Sequence, residues 1–452
     1  MSYAYCFNQR GLTYNAGMWR CIFGLWLALP ALAAAQDADV NGWLDKQLPA
    51  YIELYRGLHQ HPELTFQERH TADIVARELT RAGYSVTSGV GGFGVVGVLK
   101  NGPGRTLLLR GDMDALPVAE QTGLPFASKV QTKDESGQVV PVMHACGHDV
   151  HVTNLLAVAS YLAQHRDQWS GTLLIIGQPA EEQGEGALRM IAAGLFERFP
   201  KPDYALAMHV DPDVMSGHVA VVSGWAAANA DSVDVTLYGR GGHGSRPHDT
   251  VDAIVLSAQY IAALQTLVSR RNDPQSPAVI TIGTIHGGTK RNVVADSVQL
   301  LMTVRSYSDE TRQLLLNGIG QLARDLSTAF GSPKPPLVTI KEAYTPAVYN
   351  DPALAADATT VFRRVLGDAG VEPGKVPMTA EDFGRYGRQL KIPSLLVRLG
   401  ATPEPLYKAA RVPGAKPVPG LHTVGFVPDA PLALRTGVRA MVALVASLLP
   451  KR

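Results

Sequence analysis

Nine consecutive residues, Met143-His144-Ala145-Cys146-Gly147-His148-Asp149-Val150-His151, gather one thiol, three imidazoles and a carboxylate. Thiolates and neutral imidazoles are ligands for divalent transition cations, and carboxylates orient them. Cys and His one residue apart, with no second cysteine at CxxC spacing, do not close a zinc finger. They suit half of a metal site whose remaining ligands come from elsewhere in the chain. Any one of these residues, taken alone, reads better as a solvated histidine or a small buried cysteine. Their density is what points to a metal.

Three apolar runs end on residues able to complete such a site. Residues 106–110 lead into Gly111-Asp112-Met113-Asp114, and residues 172–177 into Gln178-Pro179-Ala180-Glu181-Glu182. Residues 204–208 lead into His209. Buried parallel strands of open α/β sheets carry their chemistry at the C-terminal ends, so this recurrence matters. Adjacent glutamates usually mark a solvated helix start. After an apolar strand and a proline they read as buried, and neighbours can then divide the work, one carboxylate on metal and the other on a proton. His422 lies in a loop before the last helix. It and His209, singly, would more often be satisfied histidines than ligands, but both lie where the site should be.

The positioning elements follow from periodicity. Leu44, Leu48, Ile52, Tyr55 and Leu58 recur at helical steps. The stretch His59-Gln60-His61-Pro62-Glu63-Leu64 interrupts them, and residues 71–79 resume the helix. Residues 94–99 and 106–110 read as strands, 121–141 as a polar loop and 152–164 as an apolar helix. From 223 the pattern changes to alternating strands, as expected for sheets with one solvated face. Strands at 231–239, 278–286, 297–307 and 337–342, with helices at 251–268 and 310–330, give the order β-α-β-β-α-β. A Gly-rich turn, Gly239 to His248, joins the first strand to the first helix. Residues 353–366 and 430–449 read as helices, and 394–399 as a strand. The reading is an α/β catalytic domain with a mixed sheet at 36–222 and 344–452, carrying an inserted ferredoxin-like α+β module at 223–343.

At 452 residues, two domains are expected. With 46% hydrophobic and 18% charged residues the chain is globular. Lys+Arg 41 against Asp+Glu 40 leaves no basic stripe for nucleic acid and no acidic tail. Met18-Trp19-Arg20, a short apolar run from Cys21 and Ala33-Ala34-Ala35 read as a secretory signal cleaved after Ala35, with Met18 as an alternative start. The run is short for a membrane span, so no stable anchor is expected. The expected location is the periplasm or the medium. Removing residues 1–35 leaves Cys146 as the single cysteine of the three, so no internal disulfide is expected. A lone thiol in an oxidising compartment needs shielding or a metal.

Taken together, the motifs Gly111–Pro117, Met143–Asp149, Gln178–Glu182, Met208-His209, Gly241-Gly242-His243, Asn292-Val293, Glu381-Asp382-Phe383 and Leu421-His422 resemble those of the M20 metallopeptidase/amidohydrolase family. The likeness is greatest to its branch of hippurate, auxin-conjugate and other N-acyl amino acid amidohydrolases. Eight motifs in the family's order span nearly the whole mature chain. The resemblance implies two divalent cations (Zn, Mn, Co or Ni) held by Cys146, His148, Glu182, His209 and His422, with Glu181 as general base. It implies that Asp112 and Asp114 stand behind the imidazole ligands and orient them. It further implies that His243, from the same or a partner subunit, stabilises the oxyanion. Asn292 and Arg305 are candidates for holding the substrate carboxylate, and a homodimer through the inserted module is implied as well. Ala295 and Val424 stand where the family often has proline, which bears on loop geometry and substrate preference. Substrates would be N-acyl amino acids, or short peptides with a free C-terminal carboxylate. A dipeptidase or carboxypeptidase is the alternative among enzymes, and a binding-only relative is the alternative outside them. The intact Glu181 speaks against the last.

Overall fold

The computed structural model describes residues 18–451, with side chains from Asp39 onward. The expected export signal, with Cys6 and Cys21, lies outside the described side chains. An eight-stranded mixed sheet forms the large domain, with Ser85–Ser88 at one edge, then Val95–Asn101, Gly171–Gln178, Thr106–Asp112, Tyr204–Met215, Ser394–Thr402, Val219–Val221 and Val371–Pro373. The four central strands run parallel. They are near-continuous apolar runs because helices cover both of their faces.

Alternation along these strands assigns every side chain to a face. Leu107, Leu109, Leu173, Ile175, Leu206 and Val397 pack with the helices His148–Gln164, Pro352–Leu366 and Ala430–Leu448. Leu108, Leu174, Ile176, Ala207 and Leu396 face the opposite way, onto Met190, Phe196, Phe383 and Tyr386. The last helix is long and apolar enough to cross a bilayer, yet Leu434, Val438, Val442 and Val445 are fully buried in this core. Truncating one such leucine to alanine costs about 2–5 kcal/mol.

The register then places the polar residues. Asp112 lies level with Gln178, Arg110 with Ala207, and His209 with Arg398. Arg110, Asp112, Gln178 and His209 therefore emerge on one face, at the C-terminal ends of neighbouring parallel strands. That is the crevice where open α/β sheets carry their chemistry.

Within residues 229–340 a second sheet has the order Ala278–Gly287, Ser297–Ser306, Asn229–Tyr238, Leu337–Ile340, with every pair antiparallel. The helices Ala253–Thr266 and Asp309–Ala329 cover one side of it, on a separate core of Val233, Val235, Tyr260, Leu300, Leu315 and Ile319. Both helices begin on capping side chains, Asp252 and Ser308. This is the ferredoxin-like arrangement.

Some local expectations are corrected. The helix expected from 152 begins at His148, so His148 and His151 stand on it and not on a loop. Gly147 takes a left-handed conformation (φ 78°) immediately before it, and Asp149 favours the positive end of the helix dipole. A Cβ on Gly147 would meet Val210 Cγ2 at 2.5 Å. The expected loop at 121–141 contains a small hairpin, Gln131–Lys133 with Val139–Pro141. The Tyr204–Met215 strand continues past His209 because Ser394–Thr402 pairs with it along most of its length.

Candidate metal centre

Five side chains expected to bind metal converge in the crevice. Cys146 Sγ lies 3.3 Å from His422 Nε2 and 3.6 Å from His209 Nε2. Glu182 Oε1 is 3.4 Å from His422 Nε2 and 3.9 Å from His148 Nε2. Bonds of ~2.0–2.3 Å place two ligands of one tetrahedral cation about 3.3–3.8 Å apart, so these separations suit shared coordination. His422 arrives from far along the chain because its N–H donates to the Ala145 carbonyl at 2.8 Å, with its own backbone left-handed at φ 62°.

Imidazole orientation is set from behind. His209 Nδ1 donates to the Val210 carbonyl at 2.7 Å, which leaves Nε2 to face Cys146. His148 Nδ1 faces Asp114 Oδ1 at 3.3 Å, leaving Nε2 toward Glu182. Asp114 also accepts from the Glu181 and Glu182 N–H groups at 3.2 and 3.0 Å, fixing the turn that carries both glutamates.

Asp112 Oδ2 faces the ligand imidazole of His148, 3.5 Å from its Nε2, and has further partners. It receives Arg110 Nη1 at 2.7 Å and pairs with His151 Nδ1 at 2.6 Å. His151 Nε2 in turn accepts from the Val210 N–H at 2.8 Å. Both ring nitrogens of His151 are thus committed, and it props the His209 strand end without offering a lone pair to a cation.

Sequence reasoning passed over the charge that balances this site. Arg110 is buried and donates to Gln178 Oε1 (3.0 Å), Asp112 Oδ2 (2.7 Å), Glu381 Oε1 (2.8 Å) and Asp382 Oδ1 (3.0 Å). An arginine inside an apolar strand was the available signal, since a buried cation is kept only with partners. Burial pushes the Asp382 carboxyl up to about 7, with Arg110 opposing and Glu381 adding to the rise. Burial and then Glu381, Glu182, Asp382 and Asp112 raise Glu181 well above the usual carboxylate range.

The site fits cations on its own terms. His148 Nε2 and Glu182 Oε1 are buried and make no hydrogen bond among the described residues. Burial, and then Glu182, hold the Cys146 thiol well above its ordinary range, so its thiolate requires a nearby positive charge. Six carboxylates (Asp112, Asp114, Glu181, Glu182, Glu381 and Asp382) share the crevice with the guanidinium of Arg110 and, beside His209, that of Arg398. Cations would supply the missing charge.

The module's candidates stand apart. His243 is exposed, and its Nδ1 accepts the Ser245 N–H at 3.1 Å. Asn292 is exposed, and its carbonyl accepts the Gly244 N–H at 2.8 Å. Arg305 is half-buried on the Ser297–Ser306 strand, where burial lowers it and Asp231 opposes. Among the described residues no hydrogen bond or ion pair joins these three to the Cys146 cluster.

This geometry meets an independent likeness. The model of the peptidase family M20/M25/M40 matches residues 108–410. The chain belongs to that family. Thermostable carboxypeptidase 1 of Saccharolobus solfataricus is 36% identical over 352 residues, covering 77% of this chain and 84% of that protein. The hippurate hydrolase of Campylobacter jejuni is 38% identical over 331 residues, covering 73% and 82%. The crystal structure of Bacillus subtilis YXEP, a dinuclear metal-binding peptidase of the M20 family, superposes with a TM-score of 0.72 at 28% identity, covering 90% of this chain and 99% of that one. As an M20 protein this chain is a hydrolase of amide bonds with a catalytic and an inserted domain.

Proposed function

We propose that this M20 hydrolase splits N-acyl amino acids into a carboxylic acid and a free amino acid, with Glu181 as general base and Cys146, His148, Glu182, His209 and His422 holding two divalent cations. The observation that carries this reading is the state of Glu181. Its backbone is fixed by Asp114, while its carboxylate makes no hydrogen bond among the described residues and its Oε2 lies 3.9 Å from His148 Nε2. A base held in place but free of partners suits a reaction, whereas a binding-only relative has no use for one. Bound cations would supply Lewis-acid polarisation of the amide carbonyl and a more acidic water. Glu181 accepts the proton of the attacking water and returns it to the leaving amine.

In the same reading His243 donates to the developing oxyanion, and Asn292 and Arg305 meet the substrate carboxylate. Because all three sit on the module, they act after movement of the module or from a partner subunit. A homodimer through the module is supported by its edge strand Ala278–Gly287, whose outer side has no strand beside it among the described residues and which carries the exposed Ile285. Zn, Mn, Co and Ni all suit one thiolate, three imidazoles and a carboxylate, and availability selects among them. The basic and then apolar stretch Met18–Ala35, read as an export signal, supports a location in the periplasm or medium.

The carboxypeptidase likeness supports a second reading, cleavage of short peptides. Turnover of a panel of N-acyl amino acids and dipeptides under each defined cation separates the two. N-acyl substrates should lead in kcat/KM. Dipeptides leading would favour the peptidase, and no turnover of either class would overturn both.

A further inference from the structure

The stretch around His59–Leu64 reads in the sequence only as a break between helices, yet the residues just beyond it reach the catalytic turn. Glu68 sits at the N-cap of the helix Arg69–Arg81 but does not cap it. Its carboxylate is fully buried, and Oε1 accepts two backbone N–H groups, those of Phe66 and Ala180, each at 2.9 Å. Those two residues, 114 positions apart in the chain (180 against 66), are both non-glycine residues in the left-handed region, at φ 64° and φ 55°. Left-handed backbone is disfavoured for any residue with a Cβ, and it persists where the surroundings dictate it. Here one oxygen meets both residues.

Ala180 immediately precedes Glu181. Its carbonyl accepts from the N–H groups of Glu185 (3.2 Å) and Gly186 (3.0 Å), which closes the turn. With Asp114 taking the N–H groups of Glu181 and Glu182, two buried carboxylates hold three consecutive amides. The peptide plane of Ala180 fixes the direction in which the Glu181 side chain leaves the backbone. Were Ala180 to relax to negative φ, Glu181 would swing from its place beside His148.

We propose that Glu68 is a positioning residue for the general base: its carboxylate oxygen locks Ala180 in the left-handed conformation and so aims Glu181 into the metal centre. The proposal rests on the assignment of Glu181 as the base, and its structural half can be read without activity. Glu68 Oε2 has no partner among the described residues, so an amide replacing the carboxylate keeps the Oε1 acceptor and gives up nothing that is bonded.

The test compares Glu68→Ala, Glu68→Gln and the double variant Glu68→Ala/Ala180→Gly for kcat, KM, cation content and crystal structure. A displacement of about an ångström at a reacting group costs about 100-fold, so Glu68→Ala should lose about 100-fold in kcat with KM and cation content near wild type. Glu68→Gln should stay close to wild type. Glycine adopts positive φ without strain, so the double variant should recover most of the lost kcat. The Glu68→Ala crystal structure should show Ala180 at negative φ and Glu181 displaced. Unchanged kcat in Glu68→Ala, or an unmoved Ala180, would overturn the proposal. So would a Glu68→Gln loss of about 100-fold in kcat, which keeps the test open even if Glu68→Ala fails to fold. A wild-type protein inactive on every amide would count against the base assignment, leaving the backbone lock to be judged from the crystal structures.

Discussion

At the C-terminal end of the large sheet, Cys146, His148, Glu181 and His209 are buried and held from behind by Asp114 and the Val210 carbonyl, beside the counter-charge of Arg110. In the module, His243 sits exposed on the glycine-rich turn, and the exposed Asn292 meets that turn from a separate segment by accepting the Gly244 N–H. One region is preorganised, with its charge already committed to fixing geometry. The other presents donors to a space that substrate, motion or a second chain must fill. Reaction chemistry is thus assigned to the rigid sheet, and recognition to the part that can be brought up to it.

That contrast can be broken at either end. The largest effect is expected at the base. Glu181→Gln should retain cations by elemental analysis and lose about 10³–10⁴-fold in kcat, and retained turnover would remove Glu181 from the mechanism. Arg110→Met leaves Asp112, Glu381 and Asp382 buried without their counter-charge. Guanidinium unfolding should report a loss of about 3–5 kcal/mol, and a loss well under 1 kcal/mol would show the network to be ornamental. His243→Ala should lower kcat by about 10²-fold while melting temperature and cation content hold. If His243 acts across subunits, mixing this variant with Glu181→Gln should restore activity, whereas absence of rescue places it in cis.

The smallest expected effect lies outside the centre. Burial alone would lower His59, but its hydrogen bonds to Asp149 (2.7 Å) and Glu120 (3.1 Å) raise it to about 10. A pKa raised in the folded state means stability that is complete below the unfolded value near 6.5 and fades as pH climbs toward about 10. His59→Gln should therefore cost on the order of 2 kcal/mol in acid solution, with the gap to wild type closing above neutrality. A pH-independent gap would show that His59 is uncharged.

His209 and the two glutamates could be read in advance because an apolar strand announces its own end, and the sheet supplies the crevice. The β-α-β-β-α-β order was equally legible, since alternation and helical period are local signals. Arg110 was not read, because its partners Glu381 and Asp382 lie 271 and 272 residues away and no spacing rule links them. Glu68 escaped for a related reason. A carboxylate before a helix looks like a cap, and only the fold shows that it bonds Ala180 instead. The start of the His148 helix was misplaced because polar residues in a first turn resemble a loop until their backbone is seen.

The central claim is that the sheet end alone holds two divalent cations, with the Cys146 thiolate among their ligands. Elemental analysis of the protein reconstituted with one defined cation tests it directly, in parallel with Cys146→Ser. Two cations per chain in the wild type, falling below one in Cys146→Ser with the fold intact by circular dichroism, is the expected result. A cation-free wild type, or full occupancy in Cys146→Ser, would contradict it.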